Sequence, residues 1–417
     1  MENTPVTPEA PAASTPPAKK PHTRRNLIIG AAAVVVVASS VASALFLDDP
    51  FDDRPAAASH SGAAHSDAVQ SSLDALVADD GFPGAIAAVT DADGEVADYV
   101  AGVSELGEKT PPPADGLVRI ASNTKMYTSV VVLQLVDEGL VSLDEPVETY
   151  LPGLVRGDGI DGSLITVRQL LQHTSGLPNY TSAIAGDLFA IRDTYLAPRS
   201  LLDLALAMPA SFAPGSSYEY SNTNYVVAGL IVEKVTERPF AEQVEERIID
   251  PLGLDETFFP APGDKTIPGE HPTGYNNDAN RELKDITETD PSWAWAAGQI
   301  IASPSDVNRF MRALVGGDLL TPGTLAEMQT TVKGAELWEG AEYGLGLIRY
   351  PLSCGGVAWG HGGDVSGFET RNAVDETGRA VTIAVTALPG ALATDEDTIV
   401  ATIGNVEKAV DTALCAK

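Results

Sequence analysis

The amino-acid sequence predicts an α+β domain in which helices flank an antiparallel sheet and a helical subdomain is inserted. Strand-like runs stand near both ends of the folded part of the chain, and helical patterns fill the middle. Strands at both ends with helices between them indicate one sheet that is built from both ends of the chain.

The first two strands are predicted at 83–90 and 96–102. These apolar runs are joined by Asp91-Ala92-Asp93-Gly94, and an Asp-Gly turn between apolar runs is typical of a β-hairpin. Apolar runs near the other end of the chain predict further strands, at 344–350, 357–359, 368–374 and 380–386.

The middle of the chain has the apolar spacing of helices. A helix that begins at Ser122 is apolar on nearly every side and is therefore predicted to be buried, and Gly139 ends it. A short helical pattern precedes the first hairpin and others follow, at 69–77, 167–172, 200–208, 224–236, 240–249, 305–315 and 397–414.

Composition excludes one class of function. The 417 residues are 44% hydrophobic, and their formal net charge is −32. So acidic a chain repels phosphate backbones, and no basic patch interleaved with aromatic residues is present. We therefore expect no binding to nucleic acid, and we interpret the acidity as a means of keeping an exported protein soluble.

Residues 27–47 carry no charge and are numerous enough to cross a bilayer as a helix. Arg24 and Arg25 precede this segment and acidic residues follow it, which predicts an N-terminus on the inner side. Its length slightly favours an uncleaved membrane anchor. Ala42-Ser43-Ala44 is compatible with cleavage of a signal peptide, and the arginine pair resembles a twin-arginine signal. Either route predicts that the folded part of the chain is extracytoplasmic.

The chain is thus predicted to divide into four parts: a disordered cytoplasmic tail (1–26), the anchor or signal helix (27–47), a linker (48–66) and one folded domain (67–417). Cys354 and Cys415 are an even pair, which outside the cytoplasm predicts one disulfide. The six histidines have no ligand spacing, so neither a metal nor a cofactor is expected.

Ser122 and Lys125 form an S-x-x-K motif where a strand-like run meets the buried helix. Residues three apart share a helix face, so the Lys125 amine can reach the Ser122 hydroxyl. A partly desolvated lysine with a lowered pKa can take the proton of a serine nucleophile. The alternative is that Ser122 only caps the helix while Lys125 extends to solvent. The motif alone leaves both interpretations open.

Tyr220 and Asn222 lie in a second cluster, which follows a Pro-Gly turn and precedes a helical pattern. On its own this cluster is typical of a loop and a helix cap. Together with the first motif, it makes Tyr220 a candidate proton relay beside Lys125. Asn222 becomes a candidate hydrogen-bond partner of the substrate's acyl group.

His361 and Gly363 belong to a third cluster, 359–364, at the end of a strand-like run. Its glycines let a ligand approach a strand edge whose free N–H group can bind an oxyanion. His361 alone is equally typical of a structural residue.

The motifs S-x-x-K, Y-x-N and H-x-G occur in this order. Together they resemble the class C β-lactamase and D-alanyl-D-alanine carboxypeptidase family of penicillin-recognising serine hydrolases. The chain is most similar to the exported, actinomycete-type DD-carboxypeptidase/transpeptidases. The resemblance runs from about residue 66 to the C-terminus and implies a β-lactamase/transpeptidase-like fold.

The resemblance also implies roles for individual residues. Ser122 would be the nucleophile, and Lys125 its general base or the activator of Tyr220. Tyr220 would protonate the leaving amine and later activate water. Asn222 would bind the acyl amide, and the N–H groups of Ser122 and Asp364 would form the oxyanion hole.

The third motif differs from the family pattern. His361 stands where a lysine is more usual. The family binds a terminal D-Ala carboxylate with hydroxyl residues and a nearby cation, whereas this chain has Gly362 and Asp364 there. We expect Asp364 to repel a carboxylate in a desolvated site. On a neighbouring strand, alternation lets only one of Ile348 and Arg349 face the cleft.

Trp293 and Trp295 are interpreted either as a wall of the cleft or as core residues. The family also pairs cysteines at positions like Cys354 and Cys415. The function expected first is a DD-carboxypeptidase-like serine hydrolase acting on cell-wall peptides. The alternatives are an esterase, β-lactamase or D-amino-acid amidase, and then a non-catalytic β-lactam sensor. The expected partners are small peptides or β-lactams and peptidoglycan, bound by a monomer.

Overall fold

The computed structural model describes residues 63–184, 188–334 and 340–416. The predicted tail and the apolar segment 27–47 lie outside the described residues, as does the linker up to residue 62. Within the described part of the chain, no helix combines the length and apolar character needed to span a membrane. The first helix begins at Ala63, so the end of the predicted linker is helical.

Short and long strands alternate with helices along the described chain. The strands are β1 Gly84–Thr90, β2 Val96–Gly102, β3 Val118–Arg119, β4 Arg156–Gly157, β5 Ile160–Asp161, β6 Thr257–Phe258, β7 Tyr275–Asn277, β8 Leu283–Asp285, β9 Ile301–Ala302, β10 Val332–Lys333, β11 Glu342–Tyr343, β12 Ile348–Pro351, β13 Val357–Val365, β14 Phe368–Asp375 and β15 Ala380–Val385.

Most of the longer helices agree with the predicted ones to within a few residues, but α1 begins at Ala63 and not at 69, and the helix predicted at 240–249 is divided. The helices are α1 Ala63–Ala78, α2 Thr124–Asp137, α3 Val147–Tyr150, α4 Val167–Leu171, α5 Thr181–Ile184, α6 Leu188–Ile191, α7 Pro198–Leu206, α8 Asn222–Thr236, α9 Phe240–Val244, α10 Asp250–Leu252, α11 Pro304–Gly316, α12 Pro322–Met328, α13 Pro389–Leu392 and α14 Glu396–Cys415. A π-helical stretch, Glu245–Ile249, joins α9 to α10.

The main sheet has eight strands in the order β10-β11-β12-β13-β14-β15-β1-β2, and every neighbouring pair is antiparallel. Strands β1 and β2 come from one end of the folded part and the other six from the opposite end. The helices between them form the insertion, so the predicted α+β architecture is confirmed.

Both faces of the sheet are covered, which explains why β1 is apolar throughout. Ile86 belongs to the core beneath α2, α8 and α11, whereas Ala85 and Ala87 belong to the core beneath α1 and α14. Side chains alternate between the two faces of a strand. A strand that is covered on both faces therefore has apolar residues at consecutive positions in its sequence. The larger core includes α2, the helix that carries Lys125, whereas Tyr220 packs against the smaller core.

Two predicted strands near the C-terminus are wrong in their limits. Residues 344–347 form the turn between β11 and β12, because Gly346 has φ +77 and a Cβ there would lie 2.2 Å from Ser129 Oγ. The predicted strand 357–359 continues to Val365, so the glycine motif lies inside β13 and not at its end.

A disulfide joins Cys354, in the turn after β12, to Cys415, the last residue of α14. The two positions are 61 residues apart. Closing a loop of that length restricts the unfolded chain and stabilises the fold by about 4 kcal/mol. The bond fixes α14 to the turn that leads into β13.

Candidate active site

Ser122 lies in a single 3-10 turn, Ala121–Asn123, that leads directly into α2. Ala121 has φ +48, a strained conformation for a residue with a Cβ, and such strain is often concentrated at functional sites. Ser122 is partly exposed, whereas residues 123–133 are all buried. The turn therefore presents the Ser122 hydroxyl at the surface of an otherwise buried helix.

Asn123 holds this turn against the sheet. Its Nδ2 donates to Ile120 O at 2.6 Å and to Thr370 Oγ1 at 2.5 Å, and its Oδ1 accepts from Asn372 Nδ2. Thr370 and Asn372 both lie on β14. None of these three polar residues stands out in the sequence, and only the pairing of β14 with the turn reveals their role.

Lys125 is fully buried, so the interpretation in which it extends to solvent is wrong. Its Nζ lies 3.0 Å from Ser122 Oγ, 2.7 Å from Asn222 Oδ1 and 2.6 Å from Ala297 O. Burial lowers the pKa of Lys125 well below its ordinary value, although the negative charge of Asp364 opposes this. The site thus brings the S-x-x-K pair and the second motif together.

The carbonyl of Ala297 is itself held in place by α2. Thr128 Oγ1 donates to Ala296 O at 2.6 Å, and the N–H of Ile300 donates to Thr124 Oγ1 at 3.1 Å. These bonds fix the segment that supplies a lysine partner from outside the three motifs. Sequence patterns do not reveal the role of Ala297, because a backbone carbonyl leaves no mark in a sequence.

Tyr220 lies just before α8 and hydrogen-bonds to Ser122. The Lys125 amine is 4.9 Å from the centre of the Tyr220 ring. Burial raises the pKa of Tyr220 well above its ordinary value, while the Ser122 hydrogen bond opposes the rise. Its phenol is therefore held in the neutral, proton-donating form.

Asn222 begins α8, and its side-chain orientation follows from its partner. A lysine amine donates, so the amide oxygen of Asn222 must face Lys125, as observed. Asn222 Nδ2 is consequently turned away from Lys125. That geometry allows it to donate to a carbonyl in the cleft.

A hydrogen-bonded chain of His173, Tyr343 and His361 supports the site. Tyr343 Oη lies 3.1 Å from His173 Nε2 and 3.0 Å from His361 Nε2. His173 Nδ1 is 3.2 Å from the N–H of Ser221, which can only donate, so the proton of a neutral His173 is on Nε2. His173 then donates to Tyr343.

The same reasoning fixes His361. Tyr343 has one proton, which goes to His361 Nε2, and His361 Nδ1 donates to the carbonyl of Gly362 at 2.5 Å. Burial is the main cause that lowers the pKa of His361 to about 3, and burial lowers the pKa of His173 as well. His361 therefore fills the position where the family more often has a lysine, but without a positive charge.

Gly363 is a close-packing residue. A Cβ at this position would lie 2.1 Å from Ile120 O, in the backbone that leads into the Ser122 turn. A two-residue turn, Ser366-Gly367, joins β13 to β14 after the pair Val365 and Phe368. The two residues that flank such a turn, Val365 and Phe368, form a hydrogen-bonded pair. Successive N–H groups of a strand point to opposite sides, so the N–H of Asp364, one residue earlier, points to the free edge of β13.

The side chain of Asp364 is not in a desolvated site, contrary to the expectation from the sequence. It is 47% exposed, and its Oδ1 lies 2.9 Å from Nη1 of Arg371 on β14. In the register of the sheet, Gly362 is opposite Arg371. His361 and Gly363 face α2, whereas Gly362 and Asp364 lie on the other face of β13.

The structure also places four other predicted positions. Trp295 is a core residue, with its ring centre 5.4 Å from that of Phe240, whereas Trp293 is half-buried beside the segment that carries Ala297. Ile348 is buried in the core beneath α14. Arg349 faces the other side of β12, with Nη1 3.9 Å from Glu342 Oε2.

The described ranges contain no group of three or more His, Cys, Asp or Glu side chains arranged to hold a metal ion.

A family described as Beta-lactamase matches residues 69–403. The chain belongs to the β-lactamase family. The predicted resemblance to penicillin-recognising serine hydrolases is thereby confirmed, and so is the expectation of an enzyme that is a serine hydrolase of this fold.

Three similar proteins illustrate the range of the family. A D-stereospecific amidohydrolase from Streptomyces sp. is 39% identical, and its structure superposes on 80% of this chain and 96% of its own with a TM-score of 0.73. Penicillin-binding protein 4* of Bacillus subtilis is 26% identical over 285 residues, 64% of this chain and 60% of its own. D-alanyl-D-alanine-carboxypeptidase/endopeptidase AmpH of Escherichia coli is 29% identical over 237 residues, 55% and 57% of the two chains. The matches span about three-fifths of these two curated relatives.

Proposed function

We propose that this chain hydrolyses amides and esters of D-amino acids through an acyl-enzyme at Ser122. The observation that carries the mechanism is the set of partners around Lys125. Two of them, Asn222 Oδ1 and Ala297 O, can only accept hydrogen bonds. A neutral amine satisfies both with its two protons and keeps its lone pair for the proton of Ser122.

Acylation begins with attack of Ser122 Oγ on the substrate carbonyl carbon as its proton moves to Lys125 Nζ. The N–H groups of Ser122 and Asp364 bind the oxyanion that forms. The carbon–nitrogen bond of the substrate then breaks, and the leaving amine takes the hydroxyl proton of Tyr220. Tyr220 recovers a proton from the Lys125 ammonium, which returns to the neutral amine.

Deacylation reverses the proton flow. A water molecule attacks the acyl-serine carbonyl and loses its proton through Tyr220 to Lys125. The bond between the acyl carbon and Ser122 Oγ breaks, and Ser122 regains the proton. Tyr220 thus acts as an acid in acylation and as a base in deacylation, whereas Lys125 accepts a proton early in each half of the acyl transfer and gives it up again.

The substrate class is supported by two observations. The similar Streptomyces protein is named as a D-stereospecific amidohydrolase and matches over 96% of its length. In addition, Gly362 and Asp364 replace the hydroxyl residues that would hold a terminal carboxylate in a DD-peptidase-like site. An amide or ester of a D-amino acid has no such carboxylate on its leaving group.

A D-alanyl-D-alanine carboxypeptidase is the second candidate. It is the function expected first from the motifs, and the similar Escherichia coli protein is named as a D-alanyl-D-alanine-carboxypeptidase/endopeptidase. The two candidates share the acylation chemistry and differ in whether the leaving group carries a carboxylate.

The test is a substrate panel assayed with purified residues 48–417. D-phenylalanine amide and methyl ester, their L-enantiomers, an N-acyl-D-Ala-D-Ala peptide and a chromogenic β-lactam are compared. We expect turnover of the D-configured amide and ester, and none by Ser122→Ala, with Ser163→Ala as an exposed control. Faster release of D-Ala from the peptide would favour the second candidate, and turnover of L-substrates alone would contradict both.

The location of the enzyme is part of the same proposal. We infer that the catalytic domain is exported and held at the membrane by residues 27–47, or released after cleavage, and that it acts as a monomer near peptidoglycan. The disulfide between Cys354 and Cys415 supports a location outside the reducing cytoplasm. Fractionation of producing cells, with the N-terminus of the mature protein sequenced, distinguishes an anchored from a secreted form.

A further inference from the structure

Arg371 is a buried cation directly behind the strand that borders the site. It is only 5% exposed, and its guanidinium lies between two carboxyl groups, with Nη1 2.9 Å from Asp364 Oδ1 and Nη2 3.0 Å from Glu369 Oε1. Glu369 is fully buried. The side chain of Asp364 is 47% exposed, so it lies between the buried guanidinium and the solvent.

Gly362 makes the close approach of this cation possible. A Cβ at position 362 would lie 3.1 Å from Arg371 Nη1 and 3.3 Å from its Cδ. Contacts that short would force the guanidinium to move. The missing side chain therefore lets Arg371 lie immediately beneath the β13 backbone, where Asp364 closes over it.

The pair lies next to the reacting atoms. Gly363, between Gly362 and Asp364, packs against the backbone that leads into the Ser122 turn. The charge of Asp364 acts on both Lys125 and Tyr220. A substrate carbonyl oxygen bound by the Asp364 N–H lies about 2.9 Å from that nitrogen. A carboxylate carbon two bonds beyond the scissile nitrogen then lies within roughly 8 Å of the Asp364 backbone nitrogen.

We propose that the Asp364–Arg371 pair is the specificity determinant of this site. Asp364 repels a carboxylate on the leaving group and occupies the edge of Arg371 that would otherwise bind one. The enzyme therefore takes substrates whose leaving group is uncharged, and a neutral residue at position 364 converts Arg371 into a carboxylate-binding group. This inference rests on the acyl-serine mechanism proposed above.

The test compares two substrates that differ only at the leaving group, N-acetyl-D-Ala-D-Ala and its C-terminal carboxamide. The quantity measured is the ratio of kcat/KM for the acid to kcat/KM for the amide. We expect the wild type to favour the amide. Asp364→Asn and Asp364→Ala should raise the ratio about tenfold to 100-fold, since a unit charge within roughly 10 Å of the leaving-group carboxylate is removed at intermediate dielectric. Asp318→Asn removes an exposed carboxylate elsewhere and should leave the ratio unchanged.

The double variant Asp364→Ala/Arg371→Met shows whether the gain for the acid substrate comes from lost repulsion by Asp364 or from binding of the carboxylate by Arg371. If Arg371 binds the carboxylate, the gain seen in Asp364→Ala is lost again in the double variant. A ratio that stays within twofold of the wild type in both Asp364 variants overturns the proposal. A gain that persists without Arg371 overturns the assignment of Arg371 as the binding group. Thermal melts monitored by circular dichroism verify that each variant is folded.

Acylation of the wild type by D-phenylalanine methyl ester distinguishes a failure of the specificity proposal from a failure of the acyl-serine mechanism on which it rests. No acyl-enzyme with this neutral ester would contradict the proposed function itself. Normal acylation with unchanged substrate ratios would overturn the specificity proposal alone.

Discussion

Lys125 Nζ lies 3.0 Å from Ser122 Oγ, and its other two partners are a side-chain amide oxygen and a backbone carbonyl. This arrangement suits a neutral amine that accepts a proton from serine. It also separates the roles of the two basic candidates, because burial lowers the pKa of Lys125 and raises that of Tyr220. We therefore assign Lys125 as the proton acceptor in acylation and Tyr220 as the proton donor.

Removing the Lys125 amine should therefore stop acylation. Lys125→Met is expected to slow acylation by a D-amino-acid ester by about 10²–10⁴-fold, the usual contribution of a positioned general base. Lys125→Arg should be as slow, because a guanidinium stays protonated. Stopped-flow measurement of the acylation rate gives the answer, with Lys234→Met on the helix α8 as a control. A loss smaller than tenfold in Lys125→Met would contradict the role of general base.

The acylation rate should rise with pH, with a midpoint well below the ordinary lysine pKa. The reactive form is the neutral amine, so activity appears as pH rises through the pKa that burial has lowered. Asp364→Asn should move the midpoint lower still, because the Asp364 charge favours the ammonium form. Single-turnover rates between pH 5 and 10 test both. A midpoint that moves upward in Asp364→Asn would contradict this electrostatic coupling.

Tyr220→Phe should harm amides more than activated esters. An amine leaves only when it is protonated, whereas a phenolate ester leaves without help. We expect kcat/KM to fall about 100-fold or more for D-phenylalanine amide and much less for an aryl ester of the same acid. Equal losses on the two substrates would indicate that Tyr220 does not protonate the leaving group.

Tyr343→Phe should destabilise the fold and weaken the site at the same time. The phenol is buried between His173 and His361, and its loss leaves two imidazole nitrogens without a partner. The expected loss of unfolding free energy is about 1–3 kcal/mol. Nitrogen NMR of the histidines should show protonation of His173 at Nε2 and of His361 at Nδ1 in the wild type. The opposite tautomers would overturn the assigned direction of this chain.

Glu369 should make the fold less stable as the solution becomes alkaline. Burial raises the pKa of Glu369 to about 8, while Arg371 opposes the rise. The folded state thus holds a proton that the unfolded state has lost, so stability falls as pH rises from about 4.5 towards 8. Glu369→Gln should flatten this fall between pH 5.5 and 9 in urea titrations, whereas the exposed control Glu376→Gln should not.

The sequence predicted the fold where its patterns were local. Alternating or continuous apolar runs located β1, β2, β14 and β15, and the three motifs located Ser122, Lys125, Tyr220 and Asn222, which the structure brings together. The first part of the predicted strand at 344–350 was wrong because Gly346 needs a positive φ against α2, a contact that only the tertiary structure supplies, whereas residues 348–350 lie in β12.

The electrostatics of the site were less predictable. Asp364 was expected to be desolvated, but its partner Arg371 lies on the next strand, and only the register of β13 and β14 brings the two together. Asn123, His173 and Tyr343 likewise act through contacts with residues distant in sequence. Such partners follow from the pairing of strands and helices and not from spacing along the chain.

The most direct test of Ser122 as the nucleophile is mass spectrometry of the protein stopped during turnover. Residues 48–417 are mixed with D-phenylalanine methyl ester and quenched in acid within seconds. The mass of the intact protein is measured first, and the protein is then digested. We predict a mass increase equal to the phenylalanyl group, located on the peptide that contains Ser122 and absent in Ser122→Ala. Turnover of the ester without any adduct on Ser122, or with the adduct on another residue, would contradict the assignment of Ser122 as the nucleophile.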